Sequence, residues 1–325
     1  MINPTCAPAC GRKFASIPEY MKKFARRPTI TYMFLPETEP PCNSRCTGCF
    51  VLSGGAYKKR IKRTEEAIIV DLLRFRKAGF SVFASTTEVL RFRRLAEILK
   101  ASASTSVLTN GRVLVEKSDL CEEIRDIGIR QVVLTANFEN SGLRLTSSDI
   151  VREAARRVVA SGLELMMRIT ITQRNLDFVP QMAEECICQG AQVVQFLRYL
   201  RINGKGPQML TEQETGNFFG MLDELRIRYP AIYLSAAGSL GTQFRKKQFC
   251  CGAGSRDGGL TIGVDGNIYP CIYLTQPENA IGRYEDGELV REREFSSKGN
   301  PLDCPAYHYL SRSEREKTEK QKGGI

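Results

Sequence analysis

Apolar positions along the chain follow two alternating periods. In "TITYMFL" (29–35) β-branched and aromatic residues run together as in a strand. In "TEEAIIVDLLRFRKAG" (64–79) Ile68, Ile69, Leu72 and Phe75 recur at helical spacing. Thr64 is placed to cap that helix, Glu65 and Glu66 fall in its first turn, and Gly79 ends it. The alternation continues through the strand "FSVFAS", a helix around "RRLAEILKAS", the strand "TSVLT" and a helix near "KSDLCEEIRDIG". It resumes with "QVVLTA", "SSDIVREAARRVVASG", "LELMMRITIT", "VPQMAEECICQG" and "QVVQFLRYL". Such alternation predicts right-handed βαβ units and a mostly parallel sheet. About six strands follow from Thr29, against the eight of a closed barrel. The expected class is α/β: an incomplete, laterally open (β/α)6 TIM-like barrel over 29–235, after an N-terminal extension over 1–28.

Near residue 235 the pattern changes. "CCGAG", "SRDGG" and "LTIGVDGNIYPC" are short segments rich in turn residues, and Asp265-Gly266 marks a hairpin. Residues 236–325 are therefore expected to form a small β-hairpin and helix domain with a polar, mixed-charge tail, "SRSEREKTEKQKGGI".

Composition narrows the setting. Hydrophobic residues at 42% and charged residues at 26% suit a folded globular chain. No apolar run approaches the roughly 20 residues of a membrane span, and the N-terminus lacks the apolar core of a signal peptide, so a cytoplasmic protein is expected. The net charge of +11 admits nucleic acid as a partner. Its densest basic runs, "KKRIKR" and "RFRR", lack the interleaved aromatics of a stacking platform, and nucleic acid is not favoured.

Twelve cysteines against one histidine is the feature that carries chemistry. "PPCNSRCTGCF" places Cys42, Cys46 and Cys49 at C-x3-C-x2-C directly after the first strand. A structural zinc site needs a fourth ligand, usually in a second paired motif, and none follows nearby. Three thiolates suit an iron–sulfur cluster that leaves one iron open to something other than the protein.

The run "CNSRCTGC" after the first strand of an incomplete barrel resembles the cluster loop of the radical S-adenosylmethionine (radical SAM) superfamily. The resemblance implies a [4Fe-4S] cluster on Cys42, Cys46 and Cys49 whose open iron chelates SAM. It further implies reductive cleavage of SAM to a deoxyadenosyl radical, with flavodoxin or ferredoxin as electron donor. The aromatic residue the family often has before the third cysteine is here Gly48, with Phe50 one place beyond it. "STTEVL" stands where the family has a glycine-glycine-glutamate turn, so Thr86, Thr87 and Glu88 are candidates for the SAM amino group. "VLTNGRVL" resembles the third-strand segment and "TITQRN" the end of the fifth strand, with Arg168 and Asn175 as candidates for the ribose or carboxylate. "LRYLRINGKG", with Gly204 and Gly206, resembles the sixth-strand exit near adenine.

"CGAGSRDGGLTIGVDGNIYPC" resembles the opening hairpin of the auxiliary-cluster domains called SPASM and, in shorter form, twitch. Cys251, Cys271 and Cys304 are its candidate ligands, with the fourth open among Cys250, His308, Cys6, Cys10 and the substrate. By the same resemblance Cys250 is a candidate hydrogen donor for epimerisation, while the auxiliary cluster would take the second electron in an oxidation. Cys121, Cys186 and Cys188 lie on predicted helices and are expected in the core. The expected activity is hydrogen abstraction from a small polar biosynthetic substrate, a sugar or aminoglycoside. Peptide modification is an alternative that the short stretch ahead of the barrel disfavours, and RNA modification and a non-catalytic metal-binding scaffold are two others.

Overall fold

The computed structural model describes residues 29–37, 42–44, 46, 47, 49, 60–85, 88–136, 138, 141–143, 146–202, 206–237, 240, 259–285, 287–293, 295, 304, 306, 307, 309 and 310. Strands β1 (Thr29–Met33), β2 (Leu35–Pro36) and β3 (Lys62–Arg63) precede helix α1 (Glu65–Lys77). Thr64 caps α1 as expected, its hydroxyl accepting from the Ala67 N–H at 3.1 Å, and Ile68, Leu72 and Phe75 are buried. There follow β4 (Ser81–Ser85), α2 (Leu95–Ser102), β5 (Ser106–Thr109), α3 (Arg112–Glu116), α4 (Leu120–Ile127), β6 (Gln131–Thr135) and α5 (Ser148–Ala160). Then come β7 (Glu164–Ile171), α6 (Val179–Cys188), β8 (Val193–Arg198), α7 (Glu212–Arg228) and β9 (Tyr233–Ala237). α7 opens on a capping box, Thr211 with Glu214.

The six expected barrel strands are β1, β4, β5, β6, β7 and β8, and β9 extends them as a seventh, parallel to β8. β5 to β9 form one parallel sheet, and β1 pairs in parallel with β4 in another. No ladder joins β4 to β5 among the described residues, so the barrel is partial. Alternation sorts the strand residues. Leu165, Met167, Ile169 and Ile171 of β7, and Val194 and Phe196 of β8, pack into the main core with the helices. Val133, Met166 and Val193 instead meet as a small apolar cluster on the opposite face.

Beyond β9 the chain forms β10 (Leu260–Ile262), β11 (Asn267–Tyr269), β12 (Gly282–Glu285) and β13 (Glu288–Arg291). β10 and β11 are the expected hairpin, with Gly266 at φ +82°, a conformation that favours glycine at the turn. β10 also pairs in parallel with β1, Ile30 opposite Leu260, so the sheet order runs β13-β12-β11-β10-β1-β4. The C-terminal strands thus extend the barrel sheet, and the change of pattern placed at 235 falls inside β9.

Asp71 of α1 stands at the junction of these parts. Its carboxylate accepts from Tyr32 Oη of β1 at 2.6 Å and from Tyr284 Oη of β12 at 2.5 Å, with Arg63 Nη1 3.3 Å away. Cys121 and Cys186 are buried as expected, whereas Cys188 is exposed. Two residues at about 100° each carry Cys188 round α6 to the outer side, which corrects its assignment to the core.

Candidate active site

The cysteine loop leaves the end of β2 and is tied down at two points. The Ser44 N–H donates to Cys42 Sγ at 3.4 Å, and the Ser44 hydroxyl lies 3.5 Å from that of Thr146. Cys49 turns back on Cys46, its N–H donating to the Cys46 carbonyl at 3.3 Å, and packs against the cluster of Met33, Leu35, Val264 and Tyr269. Burial raises the Cys42 thiol and pushes Cys46 up to about 12, and the nearby charges of Cys49 and Cys42 add to the Cys46 shift. The three thiols are therefore within electrostatic reach of one another. Among the described residues no three His, Cys, Asp or Glu groups converge on one ion position. A cluster places each thiolate on a separate iron, so the donor set fits a cluster better than a single zinc ion.

Glu88 lies just past β4 and is fully buried. Its Oε2 accepts from the Asn110 N–H at 2.9 Å and the Thr109 hydroxyl and Leu90 N–H lie near the same carboxyl, while Oε1 makes no hydrogen bond of ordinary geometry. Asn110 follows β5 directly and links this carboxylate to the cysteine loop. Its Nδ2 donates to Asn43 Oδ1 at 2.9 Å and lies 3.9 Å from Cys42 Sγ. Gly111 holds the turn at φ +87°, where a Cβ would come within 2.9 Å of both Leu134 and Ala154. An unpartnered buried carboxylate oxygen beside the Cys42 thiol is a place for a cationic group. Thr86, Thr87, Phe50 and Gly204 lie outside the described residues.

Arg168 belongs to a polar row that runs across four strands. Thr135, Arg168, Gln195 and Ser235 are register partners on β6, β7, β8 and β9. Arg168 Nε donates to Gln195 Oε1 at 2.9 Å. The buried Ser235 hydroxyl has no partner in this row. Asn175 is used differently. Its Oδ1 accepts from the Thr172 N–H and hydroxyl at 2.8 and 3.2 Å, and its Nδ2 donates to the Thr170 carbonyl at 3.0 Å, so it shapes the turn after β7. Gly206 adopts φ +94° with Tyr199 packed over it.

Of the second cysteine set, Cys271 and Cys304 come together in one apolar patch with Leu200, Met209 and Leu274. Tyr273 lies beside both. Its N–H donates to Cys271 Sγ at 3.5 Å, and burial with the charge of Cys271 pushes its phenol up to about 12, against the pull of Arg168. Ile202 packs against this patch and also against the Cys49 cluster, so the two cysteine groups are neighbours. Cys6, Cys10, Cys250, Cys251 and His308 lie outside the described residues.

By sequence the chain matches no family model and no curated relative. Its structure superposes on Streptococcus suis SuiB bound to S-adenosylmethionine with a TM-score of 0.60 at 15% identity, over 78% of this chain and 63% of that one. SuiB bound to its precursor peptide SuiA gives 0.64 at 16%, over 89% and 72%. Native anSMEcpe with bound AdoMet and Cp18Cys peptide gives 0.56 at 15%, over 87% and 82%. The chain has the radical SAM fold. It spans just under two thirds of SuiB in the first of these complexes.

Within this radical SAM fold the sequence pointed to Glu88 and the cysteines and passed over Asn110 and Tyr273. Asn110 sits in the quoted "VLTNGRVL", where Asn-Gly after a strand was the available signal. Glu88 supports a pH test. Burial pushes its carboxyl up to about 7, so its contribution to stability is complete below the unfolded value near 4.5 and is lost as pH rises through 7. The stability of the metal-free native chain relative to Glu88→Gln should fall by up to about 3 kcal/mol between pH 5 and pH 8. Paired urea titrations check this, and a pH-independent difference refutes it.

Proposed function

We propose that this chain is a radical SAM enzyme acting on a C–H bond of a peptide. One observation carries the first part: Cys42, the first thiol of the C-x3-C-x2-C set, lies beside a buried carboxylate, Glu88, with an unpartnered oxygen, at the end of the parallel strands. When bound, the cluster and SAM would supply one-electron, hydrogen-abstracting chemistry, with methionine and deoxyadenosine as products.

The chain's own residues bind and orient. Cys42, Cys46 and Cys49 would hold the cluster, and the Glu88 Oε1 would receive the SAM ammonium. Asn110 keeps the two in register through Asn43 and the Glu88 carboxylate. The row of Arg168, Gln195 and Ser235 offers the substrate donors and acceptors above the apolar Val133, Met166 and Val193. Cys271 and Cys304, with Cys251 outside the described residues, would hold an auxiliary cluster on the other side of Ile202.

A peptide is favoured over the sugar or aminoglycoside expected from sequence because SuiB and anSMEcpe each have a structure holding a peptide. The test is deoxyadenosine formation by the anaerobically reconstituted protein with SAM and a strong reductant. Short random-sequence peptides are added in one arm and a panel of aminosugars in the other. Stimulation by peptides supports the reading, stimulation by aminosugars alone replaces the substrate class, and no deoxyadenosine in either arm refutes the chemistry.

A further inference from the structure

Arg198, the last residue of β8, carries a charge that the chemistry above does not use. It shares a face with Val194 and Phe196, opposite to Gln195, and is 2% exposed. Its Nη2 donates to the Thr215 hydroxyl of α7 at 2.5 Å, and that hydroxyl donates onward to the Thr211 carbonyl at 2.7 Å. The guanidinium lies over the Tyr307 ring, 4.1 Å from its centroid, and Tyr307 is anchored by its hydroxyl to the Leu210 carbonyl at 3.0 Å. Tyr307 follows Cys304 by three residues, and both are buried in the patch that contains Cys271.

We infer that Arg198 is a positioning residue for the auxiliary cluster, its buried guanidinium favouring the reduced, more negative state and so raising that cluster's reduction potential. The inference rests on the reading of Cys271 and Cys304 as ligands. Taking a cation out of water costs several kcal/mol unless negative charge lies near it. Burial lowers the Arg198 pKa, and the ionised forms of Tyr307, Cys304 and Glu212 would oppose that shift, which places the Cys304 sulfur within its field. At this depth solvent ions do not screen the interaction. Reduction adds an electron to the cluster, and a fixed positive charge nearby stabilises the product more than the reactant.

The test is a potentiometric titration of the full reconstituted chain followed by electron paramagnetic resonance, with Cys304→Ala assigning the auxiliary signal. Arg198→Met and Arg198→Gln remove the charge, the glutamine keeping an N–H for Thr215, and Arg198→Lys restores it. Both neutral variants should lower the auxiliary midpoint by at least a tenfold change in the reduced-to-oxidised ratio, 59 mV for a one-electron couple. Arg198→Lys should return it toward the native value, and the first cluster should not move. A merely structural arginine would change cluster occupancy without shifting the midpoint. An unchanged midpoint in whichever neutral variant retains both clusters overturns the inference and leaves the ligand reading standing. Iron and sulfide for one cluster in the native chain, with spectra untouched by Cys304→Ala, overturns both.

Discussion

Replacing Cys46 with alanine is expected to abolish deoxyadenosine formation, down to the level of a protein-free control, and to remove one cluster's worth of iron and sulfide. Cys46 is central to its set: both Cys42 and Cys49 add to its raised thiol value, so it lies within reach of each. The Cys46 thiol, held this high, is neutral near pH 7, and a cluster would form there only as iron displaces its proton. Two remaining thiolates would leave a second iron without a protein ligand, and the cluster would lose its single distinguished site. Cys42→Ala and Cys49→Ala should behave alike. Cys121→Ala is the control, since Cys121 is a buried member of the main core and its loss should cost only packing. Deoxyadenosine at native levels in Cys46→Ala, with its iron content intact, would remove the basis for the proposed chemistry.

Much of this arrangement was legible because it is local. The helix at 64–79 was written in its cap and its spacing, and the hairpin at Asp265-Gly266 in its turn residues. The three cysteines and Glu88 follow strand ends, and a strand end is a place that periodicity locates well. What escaped depends on pairings between distant segments. β9 was missed because "YLSAA" is short and lies after a long helix, and only its register against β8 makes it a strand. The parallel pairing of β10 with β1 joins residues 230 positions apart, as in Ile30 with Leu260, and no spacing within either segment encodes it. Cys188 was misplaced for the opposite reason, since helical geometry alone puts it on the far side from Cys186.

That long-range pairing has a consequence for the site. Because β10 adds to β1, the strand that leads into the Cys42 loop is flanked on one side by β4, leading to Glu88, and on the other by the hairpin leading to Cys271. One sheet thus sets the spacing of the first cysteine set with Glu88 and of the second cysteine set. Changes that loosen the hairpin should alter both, even though they lie outside either cysteine set.

Asp71 is the residue on which that attachment should depend most. Asp71→Ala is expected to destabilise the chain by about 3–5 kcal/mol, the scale for removing one side of a buried charged network. The change strands the Tyr32 and Tyr284 hydroxyls, both otherwise donating to the carboxylate, and leaves Arg63 facing an apolar methyl. Asp71→Asn should cost less, since one oxygen still accepts. The triple variant Asp71→Leu, Tyr32→Phe, Tyr284→Phe should be more stable than Asp71→Ala, because no buried hydroxyl is then left without an acceptor, and Arg63 is exposed enough to reach water. Burial first, then Asp71, raises both phenols above their ordinary value, so this part of the stability is complete below about pH 10 and is lost as pH rises beyond it. Urea unfolding gives the free energies, and amide exchange at β12 and β13 shows whether the hairpin opens first. A cost for Asp71→Ala below about 1 kcal/mol, or exchange protection at β12 unchanged, would mean that the ladder from β10 to β1 holds the hairpin without this carboxylate.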